Sequence, residues 1–241
     1  MAAEPYNPWP VSGTPMDQSQ TDFTAARNFM VDCQIRPNRV TDPRVLDAMR
    51  SLPREQFVPP AVAAMAYIDE DLPLGGGRVL MEPMVIARLL QAARIRPGDK
   101  ALVVASGTGY GAAIAEACGA TVTALEEDES LMAIALRVLP RHAPGVSLVD
   151  GRIATGLPAG GPWNVILIEG AVAEIPAAYA GQLAPGGRLV TVIAAPGSVS
   201  GRVVLAEPVM VAGVARLRTR EVFDCNTPML PGLAPAPSFV F

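Results

Sequence analysis

From Lys100 to Ala194 the chain alternates compact apolar runs with stretches in which apolar residues recur at helical spacing. The runs 101–105, 121–126, 146–149, 163–168 and 188–194 show little polar alternation, so each reads as a strand buried on both faces. Segments 109–118 and 129–139 read as the helices between them, with a short helix around Pro176 to Gln182. Strands alternating with helices predict an α/β fold, a doubly wound and mostly parallel sheet covered by helices. Pro185-Gly186-Gly187 supplies the turn into the fifth strand.

Upstream the pattern is helical. Phe23, Ala26, Met30 and Cys33 mark one face of a helix over Phe23 to Gln34, capped by Thr21 or Asp22. Thr41-Asp42-Pro43 opens a second helix, Arg44 to Met49, because proline loses nothing at a first-turn position. The stretch from Arg54 to Pro60 breaks it. Leu72 to Val79 carries Gly75-Gly76-Gly77 and is expected to be a flexible loop. Glu82-Pro83 opens a helix running to Ile95, and Arg96-Pro97-Gly98-Asp99 is a turn. After Ser200 the segments Arg202 to Leu205 and Val214 to Phe223 read as antiparallel edge strands. Met1 to Asp17 reads as a loosely attached arm. The tail from Pro228 to Phe241 is proline-rich, with Phe239 and Phe241 expected to pack onto the body.

The densest chemical signal is Ala101-Leu102-Val103-Val104-Ala105-Ser106-Gly107-Thr108-Gly109-Tyr110-Gly111. An apolar run enters a glycine turn and a small-residue helix, and a second apolar run then ends in Glu126. Strand, glycine turn, helix and acid-tipped strand make the nucleotide-cradling half of a doubly wound sheet. Glycine lets the backbone approach a nucleoside closely, and a carboxylate accepts hydrogen bonds from both ribose hydroxyls. Each element has a plainer reading. The glycines also suit a tight turn without ligand, Glu126 a solvated strand end, and Asp150 a cap on the turn at Gly151.

Composition narrows the classes. Of 241 residues 50% are hydrophobic and 17% charged, which permits a large core. A net charge of -4 argues against a nucleic-acid partner. No apolar run is long enough to span a bilayer, so no membrane partner is expected. Met1 to Gln20 lacks the basic start and apolar block of a secretory signal. Cys33, Cys118 and Cys225 are too widely spaced for a zinc site or a disulfide framework, so no metal is expected and a cytoplasmic location is the simplest reading.

Several ordered pieces resemble the protein-L-isoaspartate O-methyltransferases, within the class I S-adenosylmethionine-dependent methyltransferases. They are Val45-Leu46-Asp47-Ala48-Met49 with Pro53-Arg54-Glu55-Gln56-Phe57-Val58-Pro59, Ala66-Tyr67 with Leu72-Pro73-Leu74-Gly75, and the loop Ser106 to Tyr110. Asp150-Gly151, Ile175-Pro176 and Gln182 to Val190 follow in the family's order. The resemblance implies a Rossmann-like seven-stranded sheet with an N-terminal helical lid. It divides the chain into an arm (1–20), helices and substrate loop (21–98), a cofactor-binding core (99–200) and a C-terminal extension (201–241). It further implies methyl transfer from S-adenosylmethionine to the carboxylate of an isoaspartyl residue in a damaged protein or peptide. Gly107 and Gly109 would line the methionine and ribose end, with Ser106 and Tyr110 in the same loop. Glu126 would hold the ribose hydroxyls, and Asp150 with Gly151 would flank the adenine.

The chain also departs from that family. Met81 and Glu82 stand where the substrate loop usually has a serine and a glutamine. A thioether donates no hydrogen bond, and an ionised glutamate repels an anionic acceptor, so weak or absent isoaspartyl repair is expected. Val103 replaces a usual acid and Ala105 a usual glycine, whose Cβ is costly if φ is positive there. Glu169 either restores the lost negative charge or serves another substrate. These departures set a second expectation beside the first, a non-catalytic or differently specific relative acting as a binding or scaffold protein. Plainer readings are a solvated Arg78, an apolar lid contact at Met81, a pre-proline helix start at Glu82 and core or cofactor packing for Tyr110. Cys33 and Cys118 are expected in the core and His142 in a surface turn. The apolar lid and tail also suggest self-association into a homo-oligomer.

Overall fold

The computed structural model describes residues 22–198 and 200–234. The expectations for the N-terminal arm and for Phe239 and Phe241 lie outside them. Asp22 caps α1 (Phe23–Phe29) by accepting from the Thr24 and Ala25 amides. A π-helical turn, Met30–Ile35, continues it and buries Met30, Val31 and Ile35. The wider turn rotates Cys33 to the exposed side, against the expectation of a core cysteine. Asp42 caps α2 (Pro43–Ser51).

The glycine-rich stretch is no loop. Leu72–Gly75 (β1) and Arg78–Leu80 (β2) pair antiparallel as a hairpin. Leu72, Leu74 and Leu80 are buried, and that alternation outweighs the glycine triplet at the turn. Glu82 caps the start of α3 (Pro83–Ala93) by position only, without a side-chain hydrogen bond. Val85, Ile86, Leu89 and Leu90 of α3 are fully buried, each contributing roughly 1.5–3 kcal/mol.

The core alternates as expected through β3 (Lys100–Val104), α4 (Tyr110–Ala117), β4 (Thr121–Glu126), α5 (Glu129–His142), β5 (Ser147–Asp150), β6 (Trp163–Val172) and β7 (Leu183–Ala194). Only a 3-10 turn, Ala177–Gln182, stands where a short helix was expected. Two long strands, β8 (Ser200–Val211) and β9 (Val214–Asn226), add antiparallel to β7. The seven strands run β5-β4-β3-β6-β7-β8-β9, the first five parallel. Strand order reverses between β3 and β6, so their carboxyl ends form the crevice where such sheets bind ligands.

Candidate active site

The crest of that crevice is organised by Glu126. It ends β4 opposite Asp150, which ends β5, and the Gly151 amide donates to the Glu126 carbonyl at 3.1 Å. The Glu126 carboxylate is fully buried. One oxygen, Oε2, accepts from the Gly107 amide at 2.7 Å, and Oε1 accepts from the Glu127 and Asp128 amides at 2.9 and 3.0 Å. The predicted trio of Gly107, Glu126 and Asp150-Gly151 therefore does come together, and the acid is aimed by the glycine loop itself.

Arg78 overturns the expectation of a solvated loop arginine. Its guanidinium forks onto Glu126, Nη1 to Oε1 at 2.9 Å and Nη2 to Oε2 at 3.0 Å, and Nη2 also donates to the Ala105 carbonyl at 2.8 Å. The pair is buried, with side-chain exposures of 6% and 0%. The hairpin turns back over the glycine loop and brings Arg78 with it: Leu74 lies 3.5 Å from where a Cβ on Gly107 would stand. Glu126 thus receives two hydrogen bonds from Arg78 and one each from Gly107, Glu127 and Asp128, while a carboxylate offers about four acceptor sites.

The loop carries the strain its sequence suggests. Ala105 has φ 53°, in the left-handed region where a Cβ is unfavourable. Gly109 has φ 92°, and a Cβ there would meet Leu139 at 3.0 Å. Ser106 Oγ and Thr108 Oγ1 are buried without hydrogen-bond partners among the described residues. Tyr110 is core-packed: its ring is fully buried, edge-on to Phe57 at 5.3 Å and beneath Arg54 at 5.0 Å, and burial pushes its hydroxyl up to about 12.

Glu169 occupies a position that β6 creates by bulging. Residues 168–170 of β6 oppose Thr191 alone on β7 between the pairs Leu167–Val190 and Ala171–Val192, and such bulges re-aim side chains. Val103 of β3 pairs with Leu167, so Glu169, two residues on, leaves the sheet on the face of Val103. Its carboxyl packs against Gly111, where an added Cβ would stand 1.7 Å from Oε1. Among the described residues Oε1 has no hydrogen-bond partner, and burial pushes the group up to about 8. Two positions that look unrelated along the chain are thus one steric pair.

The lid side is built on Arg54, a fully buried arginine that sequence reasoning did not single out. It donates to the Ala66 and Met81 carbonyls, both at 2.7 Å. Met81 is buried, as an apolar lid contact should be. The Glu82 amide donates to Asp71 Oδ1 at 2.7 Å, while burial and then Asp69 and Asp71 push the Glu82 carboxyl up to about 7. His142 ends α5, with Nε2 at 2.8 Å from Gln56 Oε1, away from the crest. The C-terminal stretch crosses the far side: Leu230 donates to the Ala171 carbonyl at 2.8 Å, and Ala171 donates to the Pro228 carbonyl at 3.2 Å. Beside the Arg78–Glu126 pair remains a cavity of about 190 Å³ lined by Gly76, Arg78, Glu127, Asp128, Ile153, Pro231 and Gly232.

In donor set the crest fits an adenosyl sulfonium amino acid. It offers an acid at the ribose position that is free to accept only when Arg78 releases it, a second acid on the adjacent strand end, glycine-loop hydroxyls without a partner among the described residues, and the buried carboxyl of Glu169 for an ammonium group. In volume the cavity of about 190 Å³ is smaller than the roughly 300–1,000 Å³ of typical ligand sites.

Comparison with known proteins supplies the family and the fold. Residues 26–205 match the family model described as protein-L-isoaspartate(D-aspartate) O-methyltransferase. A protein-L-isoaspartate O-methyltransferase of Koribacter versatilis is 40% identical over 178 residues, 73% of this chain and 80% of that protein. One from Methylorubrum extorquens is 40% identical over 176 residues, 73% and 77% of the two chains. Among solved structures, a protein-L-isoaspartate O-methyltransferase superposes with a TM-score of 0.70 at 21% identity, covering 88% of this chain and 67% of that one. A Plasmodium falciparum structure assigned to the same activity, in complex with S-adenosyl-L-homocysteine, gives 0.66 at 20% identity, covering 86% and 98%. At those identities the two structures establish likeness of fold.

Proposed function

This chain belongs to the protein-L-isoaspartate(D-aspartate) O-methyltransferase family, and on that footing we propose that it transfers the methyl group of S-adenosylmethionine to the carboxylate of an isoaspartyl residue in a protein or peptide. The observation that carries the reading is the buried Glu126, hydrogen-bonded to Gly107 at the switch point of the sheet. When bound, the sulfonium supplies an electrophilic methyl and its own leaving group.

The protein's share is binding and alignment. Gly107 and Gly109 let the backbone approach, Glu126 accepts from the ribose, and Asp150 with Gly151 flanks the adenine. Glu169, on the face of Val103, takes the place of the acid missing from β3, and the donor's ammonium would draw its buried, otherwise protonated carboxyl into the ionised form. The acceptor carboxylate, with an ordinary pKa near 4, is already ionised at neutral pH. No general base is therefore required, and His142 has no part in the step. Rate comes from holding the two reactants in line and excluding water.

Met81 offers the acceptor no donor and ionised Glu82 repels it, so turnover on isoaspartyl peptide is expected to be slow beside family members with the usual serine and glutamine there. The alternative reading, a relative that keeps the fold and has lost the reaction or changed its acceptor, is favoured by the strain at Ala105 and by the occupation of Glu126. Two assays on the purified chain separate them: calorimetric titration with S-adenosylhomocysteine, and methylation of an isoaspartyl peptide against its aspartyl counterpart. Donor-product binding with isoaspartyl-selective methylation supports the proposal. Binding without methylation points to another acceptor. Affinity weaker than about 1 mM, roughly 4 kcal/mol of binding free energy, points to a binding or scaffold role.

A further inference from the structure

Glu126 cannot serve Arg78 and a ribose at once. Arg78 supplies two of its five hydrogen bonds, and the backbone amides that supply the others are fixed by the fold. A guanidinium this deeply buried does not leave its carboxylate without another anion to receive it, because an unpaired buried charge is strongly destabilising. The substrate of the reaction proposed above is itself a carboxylate. The other loop residues do not receive it: Met81 presents a thioether and gives its carbonyl to Arg54, and Glu82 is an acid among acids. Arg78 follows three glycines with φ of 103°, 57° and 76°; a Cβ at Gly75 would meet nothing within 4 Å and one at Gly76 only Asp128 Oδ2 at 3.5 Å, while one at Gly77 would meet Pro231 at 3.3 Å. A turn of that composition can re-form in more than one conformation.

We propose that Arg78 is the receptor for the acceptor carboxylate and is released by the donor. It latches Glu126 in the donor-free protein, yields that acid to the ribose, and turns its guanidinium to the isoaspartyl carboxylate. Binding is then ordered, donor first, and the hydrogen-bond donors missing from the substrate loop at Met81 and Glu82 are replaced by the guanidinium of Arg78, three residues before Met81. This rests on the donor-site reading above.

The test compares wild type with Arg78→Gln, using S-adenosylhomocysteine and a fluorescent isoaspartyl peptide as probes. Removing the latch removes a competing state, so the variant binds S-adenosylhomocysteine about tenfold more tightly, or better, by calorimetry. In fluorescence anisotropy the wild type binds peptide only when saturated with S-adenosylhomocysteine, and Arg78→Gln binds it at least about tenfold more weakly. Hydrogen exchange on the wild type needs no variant: amides of residues 72–80 exchange faster once S-adenosylhomocysteine is bound. Equal or weaker S-adenosylhomocysteine affinity in a folded Arg78→Gln protein overturns the latch, as does unchanged peptide affinity. If the variant does not fold, unchanged or slower hairpin exchange in the wild type overturns it. Failure of both proteins to bind S-adenosylhomocysteine at about 1 mM removes the donor site and the latch together, an outcome distinct from equal binding by both.

Discussion

Two residues at the crest hold conformations or protonation states that their side chains resist. Ala105 sits at φ 53° with its methyl fully buried. Left-handed backbone costs an L-residue roughly 1–2 kcal/mol, and glycine regains part of that through its freer unfolded chain. Ala105→Gly should therefore leave stability unchanged or raise it by up to about 1 kcal/mol, while Ala113→Gly inside α4 should lose about 1 kcal/mol. Urea unfolding of the two variants checks the sign; a loss at 105 equal to that at 113 would mean the methyl packs better than its backbone is strained. Glu169 is the second case. Its folded value of about 8 lies above its ordinary 4.5, because burial disfavours the charged form. Between those values the unfolded chain has released the proton and the folded chain keeps it. The stabilisation is complete below about 4.5 and is lost as pH rises through about 8, with a slope of at most ~1.4 kcal/mol per pH unit. Melting temperature should fall from pH 5.5 to 8.5 more steeply in the wild type than in Glu169→Gln, and parallel profiles would contradict the buried carboxyl.

At the scale of elements, what could be read from the chain was what repeats locally. Strands β3 to β7 and the helices between them announce themselves by apolar periodicity, and the glycine turn with Glu126 by its place between two such strands. The hairpin was hidden because three consecutive glycines dominate any local reading, while the evidence for strands is three leucines that matter only once a core exists to receive them. Cys33 was misplaced for a related reason: a π-helical turn changes the period that the apolar pattern assumes. The site divides along the same line. Gly107, Gly109, Glu126 and Asp150 were legible because the motif places them. The pairings Arg78–Glu126 and Glu169–Gly111 span 48 and 58 residues and depend on the hairpin fold and the β6 bulge. Arg54 carried little signal, since Glu55 and Gln56 follow it directly, and only its burial marks it as an anchor for two carbonyls.

For the molecule as a whole, the sign of the charge at the acceptor's approach opposes the acceptor. The chain carries -4, and Asp69, Glu70 and Asp71 gather around Glu82 at the lid side of the crest, each raising the cost of ionising it. Because the Glu82 carboxyl is pushed up to about 7, the cluster gains negative charge within the physiological range rather than below it. An acceptor carboxylate meets the least repulsion below that value and progressively more above it. If isoaspartyl methylation is the reaction, the KM for an isoaspartyl peptide should rise from pH 6 to pH 8. Glu82→Gln should flatten that rise, lowering KM at pH 8 by roughly three- to tenfold, the size of a repulsion of about 0.7–1.4 kcal/mol, with little change at pH 6. Added salt should shrink the difference at pH 8, since a partly exposed pair of like charges is screened. A pH-independent ratio between variant and wild type would assign Glu82 to the start of α3 alone, as the residue that precedes its proline, and would leave the lid's low affinity for acceptor to Met81.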